Sequence, residues 1–358
     1  MLKPRHPRLH PRSLALFDAV SALPLEIDSY KLERLELVVS PEFTRVTTVV
    51  HLQGAGEEGV GEDVTYSAED HPPPADLPLA GSHALDSFSE LLERLTLFVR
   101  EPDMPAFLDY RRWAFESAAL DLALRQAGTS LGEAVGCEPK AVTFVASGGL
   151  GAPPTTERLR AFLAACPTLR FKLDARPDWT DEIFAELQEL GCVDSIDLKG
   201  QYSGTVVDNP PDPALYRRVI EAFPDAWLED PALTPETEPL LEPVADRVTW
   251  DAVIHSVADI EALRWPPRTV NVKPSRFGTV ERLFAAYDYC DRKGIGAYGG
   301  GQWELSIGRG HIQLLAALFH PDTPNDVAPG GYNASKPVEG LPTSPLTVAP
   351  RATGFLAL

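Results

Sequence analysis

The feature that most constrains the fold is a regular alternation of strand-like and helix-like segments after about residue 140. Thr180, Asp212 and Thr279 are suited to begin helices between the strands, because their side chains can accept backbone N–H bonds. Gly191 and Gly294 are suited to end them. The predicted strands are Val142–Ala146, Leu169–Leu173, Ser195–Leu198, Ala226–Leu228, Val248–Trp250, Thr269–Val272 and Ile295–Tyr298. Units of about 22–32 residues, repeated seven or eight times, predict a parallel (β/α)8-type (modified TIM) barrel rather than an open sheet.

The region before the barrel has a different pattern. Leu35–Val39 and Val46–Leu52 are rich in β-branched residues and predict strands, and Gly59–Glu62 predicts a glycine-rich turn. Residues 67–82 are rich in proline and predict a surface loop. Apolar residues then recur with a helical period from about 84 to 127. Strands followed by helices predict a small N-terminal α+β domain.

Composition excludes several classes of function. The 358 residues include 32 Lys and Arg against 52 Asp and Glu, a formal charge of −20 that disfavours nucleic acid and anionic membrane surfaces as partners. We find no apolar run of about 18 residues and no apolar signal-peptide core. The four cysteines are far apart and contain no Cys-x-x-Cys, which disfavours a disulfide framework or structural zinc site. We therefore expect a cytoplasmic enzyme.

Charged residues stand at the carboxyl ends of five successive predicted strands, which is where barrels place their chemistry. They are Lys172, Asp197, Glu229, Asp251 and Lys273. The three carboxylates follow neighbouring strands and predict a Mg²⁺ site of hard oxygen ligands. The two lysines follow strands 2 and 6, on opposite sides of a ring of eight, so each could transfer protons on one side of a bound substrate.

These residues lie in segments that resemble known motifs. Arg170-Phe171-Lys172 resembles Lys-x-Lys, Leu228–Pro231 resembles Glu-Gln-Pro, and Val270–Lys273 with Phe277-Gly278 resembles a strand-6 lysine motif. Residues 299–309 are similar to Gly-Gly-Met-x-Glu-x-x-Ile-Gly-Arg. The ordered series resembles the enolase superfamily, in its muconate-cycloisomerase-like branch, and within it the o-succinylbenzoate synthases and related racemases.

The resemblance implies a capping domain over residues 1–135, the barrel over 136–335, and a C-terminal segment, 336–358, that returns to the cap. It also implies abstraction of a proton α to a carboxylate, through a Mg²⁺-stabilised enediolate, with Lys172 and Lys273 as catalytic residues. Asp197, Glu229 and Asp251 would hold the metal. Residues expected to bind substrate or support the site are Arg170, Lys199, Asn271, Gly300, Gly301 and Glu304.

Several alternatives stay open at this stage. The substrate is a small carboxylate, and the reaction is an o-succinylbenzoate-synthase-like dehydration, a racemisation or epimerisation of N-acylamino acids or dipeptides, or a cycloisomerisation. A non-catalytic descendant that binds a small acid is the third class. Lys199 stands where the family usually has Asn, and it could compete with Mg²⁺ or act as a base. Arg170 would lower the pKa of Lys172 and Asp174 would raise it.

The resemblance also predicts a lid and leaves the assembly open. We expect loops around residues 40–45 and 59–63 to cover the barrel mouth, because an open mouth would leave the intermediate exposed to water. A homo-oligomer is possible.

Overall fold

The computed structural model describes residues 15–40, 43–202, 204 and 207–356. The N-terminal domain contains an antiparallel sheet in the order β2-β3-β4, a short antiparallel pair of β1 with β5, and three helices. Its strands are β1 (Pro24–Ile27), β2 (Ser29–Ser40), β3 (Phe43–Gly54), β4 (Glu57–Asp63) and β5 (Gly81–Ala84). Its helices are α1 (Leu85–Glu93), α2 (Ala106–Gln126) and α3 (Leu131–Val135).

The prediction of a turn at Gly59–Glu62 is wrong, because these residues belong to β4. Gly59 and Gly61 serve close packing instead. A Cβ on Gly59 would collide with the carbonyl oxygen of Ala118, and one on Gly61 with that of Ala114. Glycine here lets the strand lie directly against α2, whose central residues are all buried.

The second region alternates strands and helices as the sequence predicted. Its strands are β6 (Val145–Gly148), β7 (Arg170–Asp174), β8 (Val193–Asp197), β9 (Trp227–Glu229), β10 (Val248–Thr249), β11 (Thr269–Val272) and β12 (Gly296–Gly299). Its helices are α4 (Glu157–Ala165), α5 (Asp181–Leu190), α6 (Pro213–Ala222), α7 (Glu238–Leu241), α8 (Val257–Glu261), α9 (Pro274–Phe277), α10 (Val280–Lys293) and α11 (Ile307–Phe319). Strands β6 to β10 form one parallel sheet, and β11 pairs in parallel with β12.

Backbone hydrogen bonds join these two sheets into a barrel. The amide of Asn271 donates to the carbonyl of Trp250 over 2.9 Å, which links β11 to β10. On the other side, Asp326 donates to Gly299 over 2.8 Å and Val145 donates to Asn325 over 2.9 Å. Residues 325–326 thus occupy the eighth strand position between β12 and β6. The predicted (β/α)8-type barrel with an N-terminal α+β capping domain is confirmed.

Local capping explains where the barrel helices begin and end. The side chain of Thr180 accepts the amide of Ile183 at the start of α5, and Gly191 ends that helix in the left-handed conformation. Asp212 caps α6, and Thr279 caps α10. The three predicted helix starts are confirmed, so short-range signals place each helix between two strands.

Two buried side chains of the cap dock it on the barrel. Glu62 accepts the backbone amides of Leu305 at 2.6 Å and Gly308 at 2.9 Å, and Arg45 donates to the carbonyl of Gln302 over 2.9 Å. These partners follow the carboxyl end of β12, so the cap lies over the end of the barrel that the sequence predicted. Of the predicted lid loops, 59–63 lies entirely within strand β4, and in 40–45 residues 41 and 42 lie outside the described residues.

The end of the chain runs back to the cap. Leu346 pairs with Val142 of the barrel, whereas Gly354 pairs with Ser130 and the amide of Phe355 donates to Asp121 over 2.6 Å. Asp121 is completely buried in this contact. Within the described ranges, no helix combines the length and the apolar character needed to cross a membrane.

Candidate active site

A cavity of about 440 Å³ opens at the carboxyl ends of the barrel strands, with Tyr66 of the cap and Trp303 in its wall. Two of its lining side chains are aspartates, Asp174 and Asp326. Five are cationic: Arg158, Lys172, Lys199, Lys273 and Arg309. In a chain of net charge −20, this concentration of positive charge favours an anionic ligand.

Lys172 reaches the cavity from β7 and is buried among carboxylates. Its Nζ donates a hydrogen bond to Glu229 and lies 3.5 Å from Oδ2 of Asp197 and 3.8 Å from Oδ2 of Asp326. Burial alone would lower the pKa of Lys172, but the carboxylates of Glu229 and Asp197 raise it well above its usual value. The ammonium is therefore charged when these carboxylates have no other cation.

Arg170 does not take part in this environment. Its Nε donates to Asp194 over 2.6 Å, and its Nη2 donates to the carbonyl of Val193 over 3.2 Å. Val193 and Asp194 are the first two residues of β8. The residue of β8 that lies near Lys172 is Asp197, at the opposite, carboxyl end of the strand. Arg170 is thus a partly exposed residue at the far end of β7 and does not reach Lys172.

Lys273 reaches the same cavity from the end of β11. Its Nζ donates to Oδ2 of Asp251 over 2.8 Å, and Arg276 donates to Oδ1 of Asp251 over 2.9 Å. The hydroxyl of Tyr202 donates to Oδ2 of Asp251 over 3.1 Å. Burial would raise the pKa of Asp251, but the charges of Arg276 and Lys273 lower it strongly.

Sequence reasoning missed Arg276 and Tyr202 as members of the site. Arg276 is three residues after Lys273, within the short helix α9, and this spacing is the signal that could have found it. Tyr202 follows Lys199 in a loop and carries no comparable local signal.

The carboxylates between the two lysines are the best arranged for a metal. Glu229, Asp230 and Asp251 are buried, and one carboxylate oxygen of each lies within 4.8 Å of the others. Burial raises the pKa of Glu229 to about 7 and that of Asp230 to about 8, and neighbouring carboxylates add to both shifts. Three buried carboxylates this close together repel one another when ionised. An all-oxygen set of this kind fits a hard divalent cation such as Mg²⁺.

Asp230 has a second role that Glu229 lacks. Its two oxygens accept the backbone amides of Asp251 and Ala252, each at 2.8 Å. It therefore holds the segment that follows β10. Glu229 instead accepts hydrogen bonds from side chains, Lys172 and the hydroxyl of Tyr298, the latter at 2.9 Å.

Asp197 lies beside this cluster and is bound by Lys199. The Nζ of Lys199 lies 2.5 Å from Oδ2 of Asp197 and 3.4 Å from Oδ1 of Asp174. The backbone amide of Lys199 also donates to Oδ1 of Asp197 over 2.9 Å. Both oxygens of Asp197 thus have donors, and a metal at Asp197 has to displace the ammonium of Lys199.

The remaining predicted residues are Asn271, Gly300, Gly301 and Glu304, and Gly300 lies against Lys273. A Cβ on Gly300 would come within 2.8 Å of Cε of Lys273 and 2.9 Å of Oδ1 of Asn271, so only glycine leaves room for them. Both amide atoms of Asn271 are buried with no hydrogen-bond partner among the described residues. Gly301 lines the cavity, whereas Glu304 accepts the amide of Gln302 over 2.7 Å and supports the loop.

Comparison with known proteins identifies the family. A family profile described as the C-terminal domain of a domain of unknown function, DUF8230, matches residues 138–334. The N-terminal domain profile of the same family matches residues 18–134. Among curated proteins, the o-succinylbenzoate synthase of Geobacillus kaustophilus is 24% identical over 267 residues, which cover 72% of this chain and 67% of the relative.

Solved structures agree in fold. The dipeptide epimerase of Methylococcus capsulatus, crystallised with a Mg ion, superposes with a TM-score of 0.64 and 18% identity over 84% of this chain and 89% of the epimerase. The muconate lactonizing enzyme of Pseudomonas putida gives 0.62 and 19% identity over 84% of this chain and 88% of that enzyme. These relatives are enzymes, and another structure of this fold is titled as a member of the enolase superfamily, from Listeria innocua. The resemblance read from the motifs is thus confirmed in the fold, and the chain belongs to the DUF8230 family with the architecture of the enolase superfamily.

Proposed function

We propose that this protein is a Mg²⁺-dependent enzyme that abstracts a proton α to the carboxylate of a small acid. The observation that carries the proposal is the placement of Lys172 and Lys273. They come from the second and sixth barrel strands, line one cavity, and contact the carboxylates of the strands between them. Two amines on opposite sides of one substrate position are suited to remove and return a proton.

The metal would be held by Asp197, Glu229 and Asp251, with Asp230 positioning the backbone beside them. Asp197 and Glu229 are directly paired in the register of β8 and β9, which favours them as joint ligands. When bound, Mg²⁺ supplies a positive charge that stabilises the oxyanion developing on the substrate carboxylate. Lys199 would move from Asp197 toward Asp174, whose Oδ1 lies 3.4 Å from its Nζ.

Other residues of the chain would exclude water and orient the bases. The ring of Trp303 lies 6.0 Å from that of Phe43 in the cap, and Tyr66 completes this wall of the cavity. Asn271 shares a face of β11 with Lys273 and has unsatisfied amide atoms, so it is suited to bind a polar group of the substrate. The wall formed by Phe43, Tyr66 and Trp303 would keep solvent from reprotonating the intermediate.

The specific reaction proposed first is an o-succinylbenzoate-synthase-like dehydration, which the curated relative supports. A racemisation or epimerisation of N-acylamino acids or dipeptides, or a cycloisomerisation, is the second candidate, and two opposed lysines favour it because each can serve one stereoisomer. A non-catalytic acid-binding protein has no need of two opposed amines. Their presence is the argument for catalysis.

The test is α-proton exchange in D₂O with saturating Mg²⁺, followed by proton NMR. The acids offered are N-succinylamino acids and Ala-Glu dipeptides, whose α-protons can exchange, and the hydroxycyclohexadiene carboxylate whose dehydration gives o-succinylbenzoate, for which loss of the α-proton is followed as formation of the aromatic acid. Exchange or dehydration is expected with at least one of them in the unaltered protein, and its loss is expected in the double variant of Lys172→Ala with Lys273→Ala. Lys199→Ala is the matched control. Exchange that survives in the double variant but disappears in Lys199→Ala would assign the base to the third strand and contradict the proposal.

A further inference from the structure

Arg158 is held rigidly at the side of the cavity formed by the first barrel strand. It lies in α4, and its Nε donates to the carbonyl of Ala334 over 3.2 Å while Nη2 donates to that of Tyr332 over 2.5 Å. The guanidinium also lies 5.1 Å from the ring centre of Phe162. All these partners are neutral, so they orient the guanidinium without balancing its charge.

The third nitrogen of this guanidinium has no protein partner in the described part of the chain. Nη1 of Arg158 is buried, and no described residue forms a hydrogen bond with it. Among the described carboxylates, none forms an ion pair with Arg158, although the chain carries 52 of them. A buried donor and charge without a partner is costly, which favours a negatively charged ligand at this point.

The position of Nη1 connects it to the reaction cavity. Arg158 lines that cavity, and its Nη1 would be the atom nearest to a Cβ on Gly148, at 3.8 Å. Gly148 follows Ser147, which pairs in register with Lys172. Arg158 thus lies on the Lys172 side of the cavity and one residue farther along the strand direction, toward the mouth.

The other cations of the cavity already have acidic partners. Lys172, Lys199 and Lys273 each contact a buried carboxylate. Arg309 lies 3.5 Å from Glu304. Arg158 therefore differs from them in having its charge unpaired within the described part of the chain.

We propose that Arg158 forms a second anion-binding subsite, which receives a carboxylate of the substrate distant from the reacting one. The inference rests on the proposed function, because the first carboxylate is taken to lie between Lys172 and Lys273. The substrate class is then dicarboxylic acids. A guanidinium with one free edge suits a carboxylate, which it binds through a charge-assisted hydrogen bond.

The experiment measures binding of three acids with Mg²⁺ present by titration calorimetry: o-succinylbenzoate, adipate and pimelate. o-Succinylbenzoate is compared with its monomethyl ester at the succinyl carboxyl group, and adipate and pimelate are each compared with their monomethyl ester. At least one diacid is expected to bind the unaltered protein tenfold or more tightly than its ester, and Arg158→Gln is expected to abolish that ratio while ester binding stays within about twofold. Arg158→Lys should retain part of the preference, because it keeps the charge without the planar fork.

Arg160→Gln is the matched control, since Arg160 lies on the same helix, is exposed, and pairs with Glu186 at 3.5 Å. It should leave the ratio unchanged. If Arg158 only anchors residues 332–334, Arg158→Gln will weaken diacid and ester binding equally, and the unchanged ratio overturns the proposal. Equal binding of diacid and ester by the unaltered protein, or no binding of any diacid, also overturns it.

Binding and exchange separate this inference from the proposed reaction. A diacid preference that depends on Arg158, without α-proton exchange for any acid, would support the subsite and contradict the reaction. Exchange without such a preference would contradict the subsite and leave the reaction supported.

Discussion

Two clusters of buried charge, one in the cap and one at the barrel mouth, have opposite electrostatic outcomes. In the cap cluster, formed by Asp63, His71 and Arg111, nearly every polar atom has a partner. Arg111 donates to Asp63 over 2.8 Å and to two backbone carbonyls, while Asp63 also accepts from Thr65. Burial would raise the pKa of Asp63, but Arg111 and His71 lower it below its usual value.

In the mouth cluster, formed by Glu229, Asp230 and Asp251 with Lys172 and Lys273, compensation is incomplete at two of the three carboxylates. Burial raises the pKa of Glu229 and Asp230 to about 7 and about 8, above the usual range of carboxylates. Both clusters are fully buried, so burial by itself does not mark a functional site. A buried cluster that retains excess charge and borders a cavity is suited to bind something.

The largest difference between the two clusters is expected in the rate of catalysis, when a cation is removed from the mouth cluster. Lys273→Ala should lower the rate of α-proton exchange by roughly 10²–10⁴. The free energy of unfolding at pH 7 should fall by less than the roughly 3–5 kcal/mol that breaking a buried ion pair costs, because Asp251 keeps Arg276 at 2.9 Å as a partner. Exchange by NMR and urea unfolding measure the two effects. A loss of stability as large as the loss of transition-state stabilisation would break the comparison.

Removal of a cation from the cap should have the reverse effect. Arg111→Met leaves Asp63 buried with only partial compensation, and we expect a loss of about 3–5 kcal/mol in the free energy of unfolding. Arg176→Met is the control, because Arg176 and Asp178 are both about half exposed and pair at 3.1 Å, and it should cost under about 1 kcal/mol. Equal costs for the two variants in urea unfolding would show that the cap cluster is not the structural element described.

His311 is a third case, a titratable side chain that is buried without a hydrogen-bond partner among the described residues. It is completely buried and stacks on Phe355 at 4.2 Å, and neither ring nitrogen has a partner among the described residues. Burial lowers its pKa from 6.5 to about 3. Because the unfolded chain binds a proton here below pH 6.5 and the folded protein does not, stability should fall as the pH falls from 6.5 toward 3.

His311→Phe should keep the stacking and remove this dependence. Between pH 7 and pH 4.5, the variant should lose roughly 2–3 kcal/mol less stability than the unaltered protein. Urea unfolding at several pH values measures the difference. Parallel pH profiles would mean that His311 is not held neutral in the folded protein.

Mg²⁺ should stabilise the protein by acting on the mouth cluster alone. At a hundred times its dissociation constant, it should raise the free energy of unfolding by about 2.7 kcal/mol. Asp251→Asn should remove this increment, and Arg111→Met should keep it. Asp197→Asn is expected to weaken Mg²⁺ binding more than Asp230→Asn, and the opposite order would place Asp230 in the ligand set instead of Asp197.

Much of the fold could be predicted because its signals are local. Helix caps such as Thr180 and Asp212, and the repeated strand–helix unit, depend on residues a few positions apart. The positions of Lys172 and Lys273 at the carboxyl ends of predicted strands also placed them at the barrel mouth. The expectation failed for Arg170, because two residues along a strand span about 6.6 Å, enough to place Arg170 at the amino end of β7 and away from the mouth.

The sequence by itself determined the architecture, the strand ends that carry charge, and the two facing lysines. Only the tertiary structure decided that Gly59–Glu62 is a strand under α2, that Arg276 and Tyr202 share Asp251, and that Arg158 reaches the cavity from α4. The physical reason is that these contacts join segments far apart along the chain. They arise only once the barrel closes and the cap docks, and apart from the spacing of Arg276 from Lys273 no local pattern of residues points to them.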